Sequence, residues 1–166
     1  ELAFQRAGRA AIFRQTGIQF MQINTLYQLL SMVEARDPQL DAAETLLLLP
    51  DLFNYWLTGR KVAEYTIAST SQMLDARSRT WATSLLDALG IPTRFLGDLI
   101  DPGTLLGELL PGVQTETGLG GVPVIATGTH DTADAVAAVP DLDAESAYIS
   151  SGPARHTFIV RVCHVC

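Results

Sequence analysis

The chain has 166 residues and a formal net charge of −7, enough for one domain with a proper core. Its 48% hydrophobic and 17% charged residues exclude an intrinsically disordered chain. One lysine, Lys61, and ten scattered arginines give no basic face for nucleic acid, and the longest aliphatic run, Leu46 to Leu49, is far short of the roughly 20 residues of a membrane span. There is no signal-peptide pattern, and the first 162 residues hold no cysteine, so a cytoplasmic setting is expected. Glu1 opens directly into helical sequence, which predicts a segment of a longer protein.

In chain order, Leu2, Phe4, Ala7, Ala10, Ile12 and Phe13 predict one helix or two short ones over 2–16, stopped by Gly17. Asn24 suits the cap of a helix over 25–36, with Leu26, Leu29, Leu30 and Val33 on one face and Pro38 marking its end. Residues 42–57 predict a helix broken near Pro50 and closed by Gly59. Residues 64–73 read as a polar connector rich in Ser and Thr. Ser78 or Thr80 is expected to open a helix running to Leu89, with Gly90 ending it and Pro92 beyond. Residues 93–121 predict loops, a short strand and a short helix; a strand over 122–127, a helix over 130–138, a hinge from Pro140 to Asp143 and a strand over 146–151 follow. The expectation is a mostly helical chain to residue 90 and α/β from about 120, without an internal repeat. Trp56 and Trp81 are expected to be core or interface aromatics.

The stretch richest in chemistry is Val122 to Val136. Val124, Ile125 and Ala126 form a short apolar run closed by Gly128, as in a buried strand. Thr129 suits an N-cap, and Asp131 then falls in the first turn of the helix, where the backbone dipole favours its ionised form. In open α/β sheets ligands bind at the carboxyl ends of strands, and an Asp held there is placed to take a proton from a hydroxyl. A lone Asp in that position is more often a capping residue, and a lone His130 more often a surface one.

The run Gly128-Thr129-His130-Asp131-Thr132-Ala133, followed by Ala135-Val136-Ala137-Ala138-Val139-Pro140, resembles the segment around the catalytic base of the FGGY carbohydrate kinases, and within them most resembles the rhamnulokinase branch. Thr16-Gly17-Ile18-Gln19-Phe20, Asn24-Thr25-Leu26-Tyr27-Gln28, Pro50-Asp51-Leu52-Phe53-Asn54-Tyr55-Trp56-Leu57-Thr58-Gly59 and Glu64-Tyr65-Thr66-Ile67-Ala68-Ser69-Thr70 are similar to family segments in the same order. So is Tyr148-Ile149-Ser150-Ser151-Gly152, so that the match runs from about residue 5 to 152.

The resemblance implies an α/β fold of the actin-like, ribonuclease-H-like kind. Residues 1–139 would be the C-terminal part of the first domain, and 140–166 the crossover and start of the second, with an atypical tail over 153–166. It implies ATP-dependent phosphoryl transfer, with Mg2+, to a small ketose, most similar to the conversion of L-rhamnulose to its 1-phosphate. Xylulose, ribulose or glycerol are alternatives, and so is a non-catalytic module that only binds a sugar or a partner. Asp131 would be the general base, and His130, Asp131 and Thr132 would bind the sugar. Gly152 would contact ATP, while no residue is carried over as a metal ligand. Neither a nucleic acid nor a membrane is implied as a partner. Asn24, Tyr27 and Gln28 would suit polar groups near the sugar, but are equally explained as a helix cap and half-buried surface residues.

The family's early Asp-and-Gly phosphate hairpin and its late glycine-rich adenosine segments are not in this sequence, and no Walker-type loop replaces them. The 166 residues alone are therefore not expected to phosphorylate a sugar. After a strand like 148–152 the family continues with Thr-Trp-Ser, whose Thr meets phosphate; here Pro153-Ala154-Arg155 follows. Both cysteines and two of the three histidines fall after residue 152, which predicts a shifted reading frame or a foreign join. Zinc held by Cys163, Cys166 and His156 or His164 is the functional alternative, though a single Cys-x-x-Cys lacks the second pair such sites usually show.

Overall fold

The structure, a computed structural model, describes residues 1–140 and the backbone of two further strands, Ala147–Ser151 and Thr157–Arg161. Two short helices open the chain, α1 (Leu2–Ala7) and α2 (Arg9–Thr16). Gly8, at φ 75°, turns the chain between them, and Gly17, at φ 67°, stops the second.

Helix α3 (Thr25–Ala35) buries Leu26, Leu29 and Leu30, the spacing that puts three leucines on one face. It ends at Arg36 in the left-handed conformation, before Pro38. Pro38 does not merely end that helix. It begins α4 (Pro38–Ala42), whose cap Asp37 accepts from the Gln39 N–H at 2.9 Å. The predicted helix over 42–57 is shorter at its start. Residues 43–48 are not helical, and Leu46 forms a parallel bridge to Leu96. Helix α5 (Leu49–Thr58) starts where Pro50 can occupy the first turn, so the proline initiates a helix instead of breaking one.

Residues 64–73 are not a connector. Strand β1 (Ala63–Glu64) runs into helix α6 (Tyr65–Thr70), and the Glu64 side chain caps that helix. The helix expected from Ser78 or Thr80 also starts later. Strands β2 (Leu74–Asp75) and β3 (Thr80–Trp81) form a hairpin, and α7 begins at Thr83 and runs to Leu89. The competing local chemistry is at Asp75. Its Oδ1 accepts from the Arg77 and Ser78 N–H groups at 2.9 and 3.0 Å, and these bonds, Ser78's foremost, hold its carboxyl below the usual range.

Strand β4 (Leu99–Ile100) pairs parallel with β1. Strand β5 (Leu105–Glu108) pairs antiparallel with β6 (Pro123–Ile125), with α8 (Pro111–Thr117) between them. Helix α9 (Asp131–Ala137) follows β6. The last two strands, β7 (Ala147–Ser151) and β8 (Thr157–Arg161), form an antiparallel pair in which Ile149 faces Ile159; no element was read from the sequence for β8.

The described sheets are therefore four two-stranded pairs, not the single open sheet that the reading of β6 assumed. Nor is β6 a buried strand. Ile125 is 53% exposed, and only Ala126 beyond it is fully buried, against Val62 and Leu106. The main core lies among α1, α2, α3 and α7, around Ile12, Leu26, Met73, Leu86 and Leu89. Trp81 packs at its edge and donates its Nε1–H to the Gly97 carbonyl at 2.8 Å, whereas Trp56 is on the surface, edge-on to Phe53 at 5.3 Å between ring centres. No described helix is long and apolar enough to cross a membrane.

Candidate functional site

Three stretches distant in sequence meet at one cleft of about 560 Å³. One wall is the loop after α2, from Gly17 to Thr25, which contributes the apolar Ile18, Met21 and Ile23 and the polar Asn24. Ser69 and Thr70, at the end of α6, supply hydroxyls. His130 and Thr132, at the start of α9, complete it. A cleft with an apolar wall and a few converging polar groups is the usual form of a small-molecule site. A shallower hollow of about 660 Å³, between Arg9, Phe13 and Phe20, holds none of the candidate site residues His130, Asp131 and Thr132.

The structure thus brings His130 and Thr132 together on the cleft. Asp131 stands between them in the first turn of α9, and its side chain is 96% exposed. Its Oδ1 accepts from the Thr132 N–H at 2.7 Å and lies 3.7 Å from His130 Nε2. A carboxylate at this point has its second oxygen and most of its surface open to an incoming hydroxyl. Gly152, Cys163, Cys166, His156 and His164 lie outside the described residues, and so do the atypical tail's other features apart from the β8 backbone.

One detail of the turn differs from the sequence reading. Thr129 does not cap α9; His130 holds the N-cap position, without a side-chain cap bond. Gly128 is closely packed against α9. A Cβ there would come within 3.2 Å of Ala133 Cβ and Asp134 Oδ1, so the close approach is between the turn and α9 itself.

The loop wall is pinned from inside. Asn24 stands at the N-cap of α3, but its Nδ2 donates to the Gln19 carbonyl and to Gln72 Oε1, both at 3.0 Å. Gln72 is fully buried at φ 63° and returns an N–H to the Ile18 carbonyl at 3.0 Å. These two amides tie the loop to the end of α6 and place Asn24 on the cleft.

The residue that sequence reasoning missed is Glu64. It is fully buried, and its carboxylate accepts from the Thr66 N–H at 2.8 Å, the Ile67 N–H at 3.2 Å and the Thr66 hydroxyl. It also accepts from the Thr129 N–H at 3.1 Å and the Thr129 hydroxyl at 2.7 Å. The His130 N–H donates to Thr66 Oγ1 at 3.2 Å. A charged residue opening a Ser/Thr-rich run carries no sequence sign of burial; the only available signal was Glu64 two residues before Thr66, the spacing of a cap.

Beside it, Asp51 on α5 is also fully buried and accepts the Glu64 N–H at 3.0 Å through Oδ1. Its Oδ2 has no hydrogen-bond partner among the described residues. Burial pushes the Asp51 carboxyl up to about 6; the Glu64 N–H opposes this, the Glu64 charge adds to it and the Leu48 N–H opposes it.

A family model of the FGGY carbohydrate kinases, N-terminal domain, matches residues 3–138. The chain belongs to the FGGY family of carbohydrate kinases. It is 45% identical over 152 residues to a rhamnulokinase of Bacteroides thetaiotaomicron, covering 92% of this chain and 31% of that protein. It is 48% identical over 145 residues to a rhamnulokinase of Pectobacterium atrosepticum, covering 87% and 28%. The FGGY chain thus spans about three-tenths of the length of these relatives. Solved structures with a similar fold include a gluconate kinase from Lactobacillus acidophilus (TM-score 0.69, 22% identity, 75% of this chain and 26% of that one) and a xylulose kinase from Rhodospirillum rubrum (0.66, 25%, 76% and 26%). The fold is the α/β, actin-like and ribonuclease-H-like fold of the FGGY sugar kinases.

Proposed function

We propose that this chain supplies the sugar-binding cleft and general base of an ATP-dependent ketose kinase, with L-rhamnulose as the acceptor and its 1-phosphate as product. The observation that carries the proposal is the placement of His130 and Thr132 on a cleft of about 560 Å³, with the exposed Asp131 between them in the first turn of α9 and not itself part of the cleft lining. The curated relatives named rhamnulokinase support the choice of sugar.

In this reading His130 and Thr132 orient the acceptor hydroxyl by hydrogen bonds, with Asn24, Ser69 and Thr70 along the wall. Asp131 accepts the hydroxyl proton as the sugar oxygen forms its bond to the γ-phosphorus of ATP and the bond to the ADP oxygen breaks. Phosphoryl transfer has a loose transition state, so the base need only orient the hydroxyl and take its proton late; a carboxylate suffices. A magnesium ion bound with the nucleotide's phosphates would neutralise the charge that develops in transfer. Residues 1–139 would act as part of the first domain and 140–166 as the crossover and start of the second. Gly152 would be an ATP contact, the setting cytoplasmic, and the 166 residues alone inactive.

The exposure of Asp131 also supports a second reading, a module that binds a sugar through His130 and Thr132 without proton transfer. A coupled ADP-release assay of the full-length protein with L-rhamnulose, L-xylulose, D-ribulose and glycerol separates the two. Turnover highest with L-rhamnulose is expected, and His130→Ala should raise the sugar KM roughly tenfold, the cost of one hydrogen bond, with the ATP KM flat. Sugar binding by calorimetry without ADP release would favour the second reading.

A further inference from the structure

The turn at 128–132 carries the proposed chemistry on short elements. Strand β6 has three residues, α9 has seven, and the His130 cap position has no side-chain cap bond. What holds the turn comes from 65 residues earlier in the chain. We propose that Glu64 is a positioning residue: its buried carboxylate, acting through Thr129, sets where His130 stands on the cleft and where Asp131 stands in the next position. This rests on the reading of that cleft as the sugar site.

The geometry favours a carboxylate in this role over any other side chain. All five groups around Glu64 are donors, and a carboxylate accepts on both oxygens without offering a proton in return. Its own backbone is fixed twice. It lies in β1, paired with Ile100 of β4, and its N–H is held by Asp51. The Thr66 hydroxyl extends the grip by one residue, since it donates to Glu64 and accepts from the His130 N–H. Two successive N–H groups, those of Thr129 and His130, are therefore directed at one buried cluster. Asp131 follows immediately, so any shift of the cluster is passed to the base.

Thr129→Val keeps the side chain's size and removes only the hydroxyl, whereas Thr129→Ser keeps it. In the full-length protein Thr129→Val should lower kcat about tenfold with L-rhamnulose, a loss of the size misplaced reacting groups produce, with Thr129→Ser within about threefold of wild type. Glu64→Gln, which turns an acceptor into a donor facing donors, should lower kcat at least as much. By NMR hydrogen exchange, the Thr129 and His130 amides should exchange faster in Thr129→Val and Glu64→Gln, while those of Leu86 and Leu89 in α7 stay unchanged. Wild-type kcat in both variants, unchanged exchange at Thr129 and His130, or an equal loss in Thr129→Ser that tracks a fall in urea midpoint would overturn the proposal. Asp131→Asn separates the two claims. If it leaves kcat intact, the reading of the base fails, while exchange at Thr129 and His130 still decides whether Glu64 holds the turn.

Discussion

Two acids that a sequence reader would place on the surface are the most deeply buried charged groups described, Asp51 and Glu64, and they differ in how their oxygens are satisfied. Glu64 receives five donations, whereas one Asp51 oxygen has no partner among the described residues. Burial raises the Asp51 carboxyl to about 6, above its ordinary value, so the folded state holds the proton more tightly than the unfolded one. The contribution to stability is then fully present below about pH 4, is lost as pH rises towards 6, and is constant beyond. Asp51→Asn keeps an oxygen for the Glu64 N–H and removes the titration. Urea melts should show the wild type losing of order 1–3 kcal/mol relative to Asp51→Asn between pH 4 and 6.5. A difference between the two proteins that does not vary with pH would contradict this.

At the scale of elements, the cleft depends on a loop without regular structure, residues 17–24, held by the Asn24 and Gln72 amides. Asn24→Ala leaves Gln72 Oε1 buried without its donor and should cost roughly 1–3 kcal/mol, while Leu49→Ala on the exposed side of α5 should stay within about 0.5 kcal/mol. The midpoints of urea melts read both, and equal losses would show that the amide pair does not hold the loop. The same elements show what the sequence could and could not tell. The leucine face of α3 and the glycine stops at Gly17, Gly59 and Gly90 were legible because period and left-handed φ are local properties. Pro50 was misread, and the helix that opens at Pro38 was missed, because a proline that breaks a helix and one that begins a helix look alike in sequence. Asn24 reads as a cap and sits at the cap, yet its bonds go to residues 19 and 72, a choice that only tertiary contact makes. For the site, His130, Asp131 and Thr132 were legible as a motif. Glu64 was not, because burial of a charge depends on donors brought from residue 129.

At the largest scale, the described residues assemble around a main core and a smaller one, with the cleft formed by the loop after α2, the end of α6 and the start of α9. The fold and the family are those of sugar kinases, while this chain covers about three-tenths of the length of its curated relatives. In the proposed function the turn after β6 presents a base to a sugar held beside it. The most direct measurement is steady-state kinetics of Asp131→Asn in the full-length protein, paired with calorimetry of L-rhamnulose binding. In this variant kcat should fall on the order of 10²–10⁴, the range for losing an acid–base group, while the sugar Kd changes by no more than about threefold. A variant that keeps more than about a tenth of the wild-type kcat, or one that loses sugar binding in proportion to its activity, would contradict it.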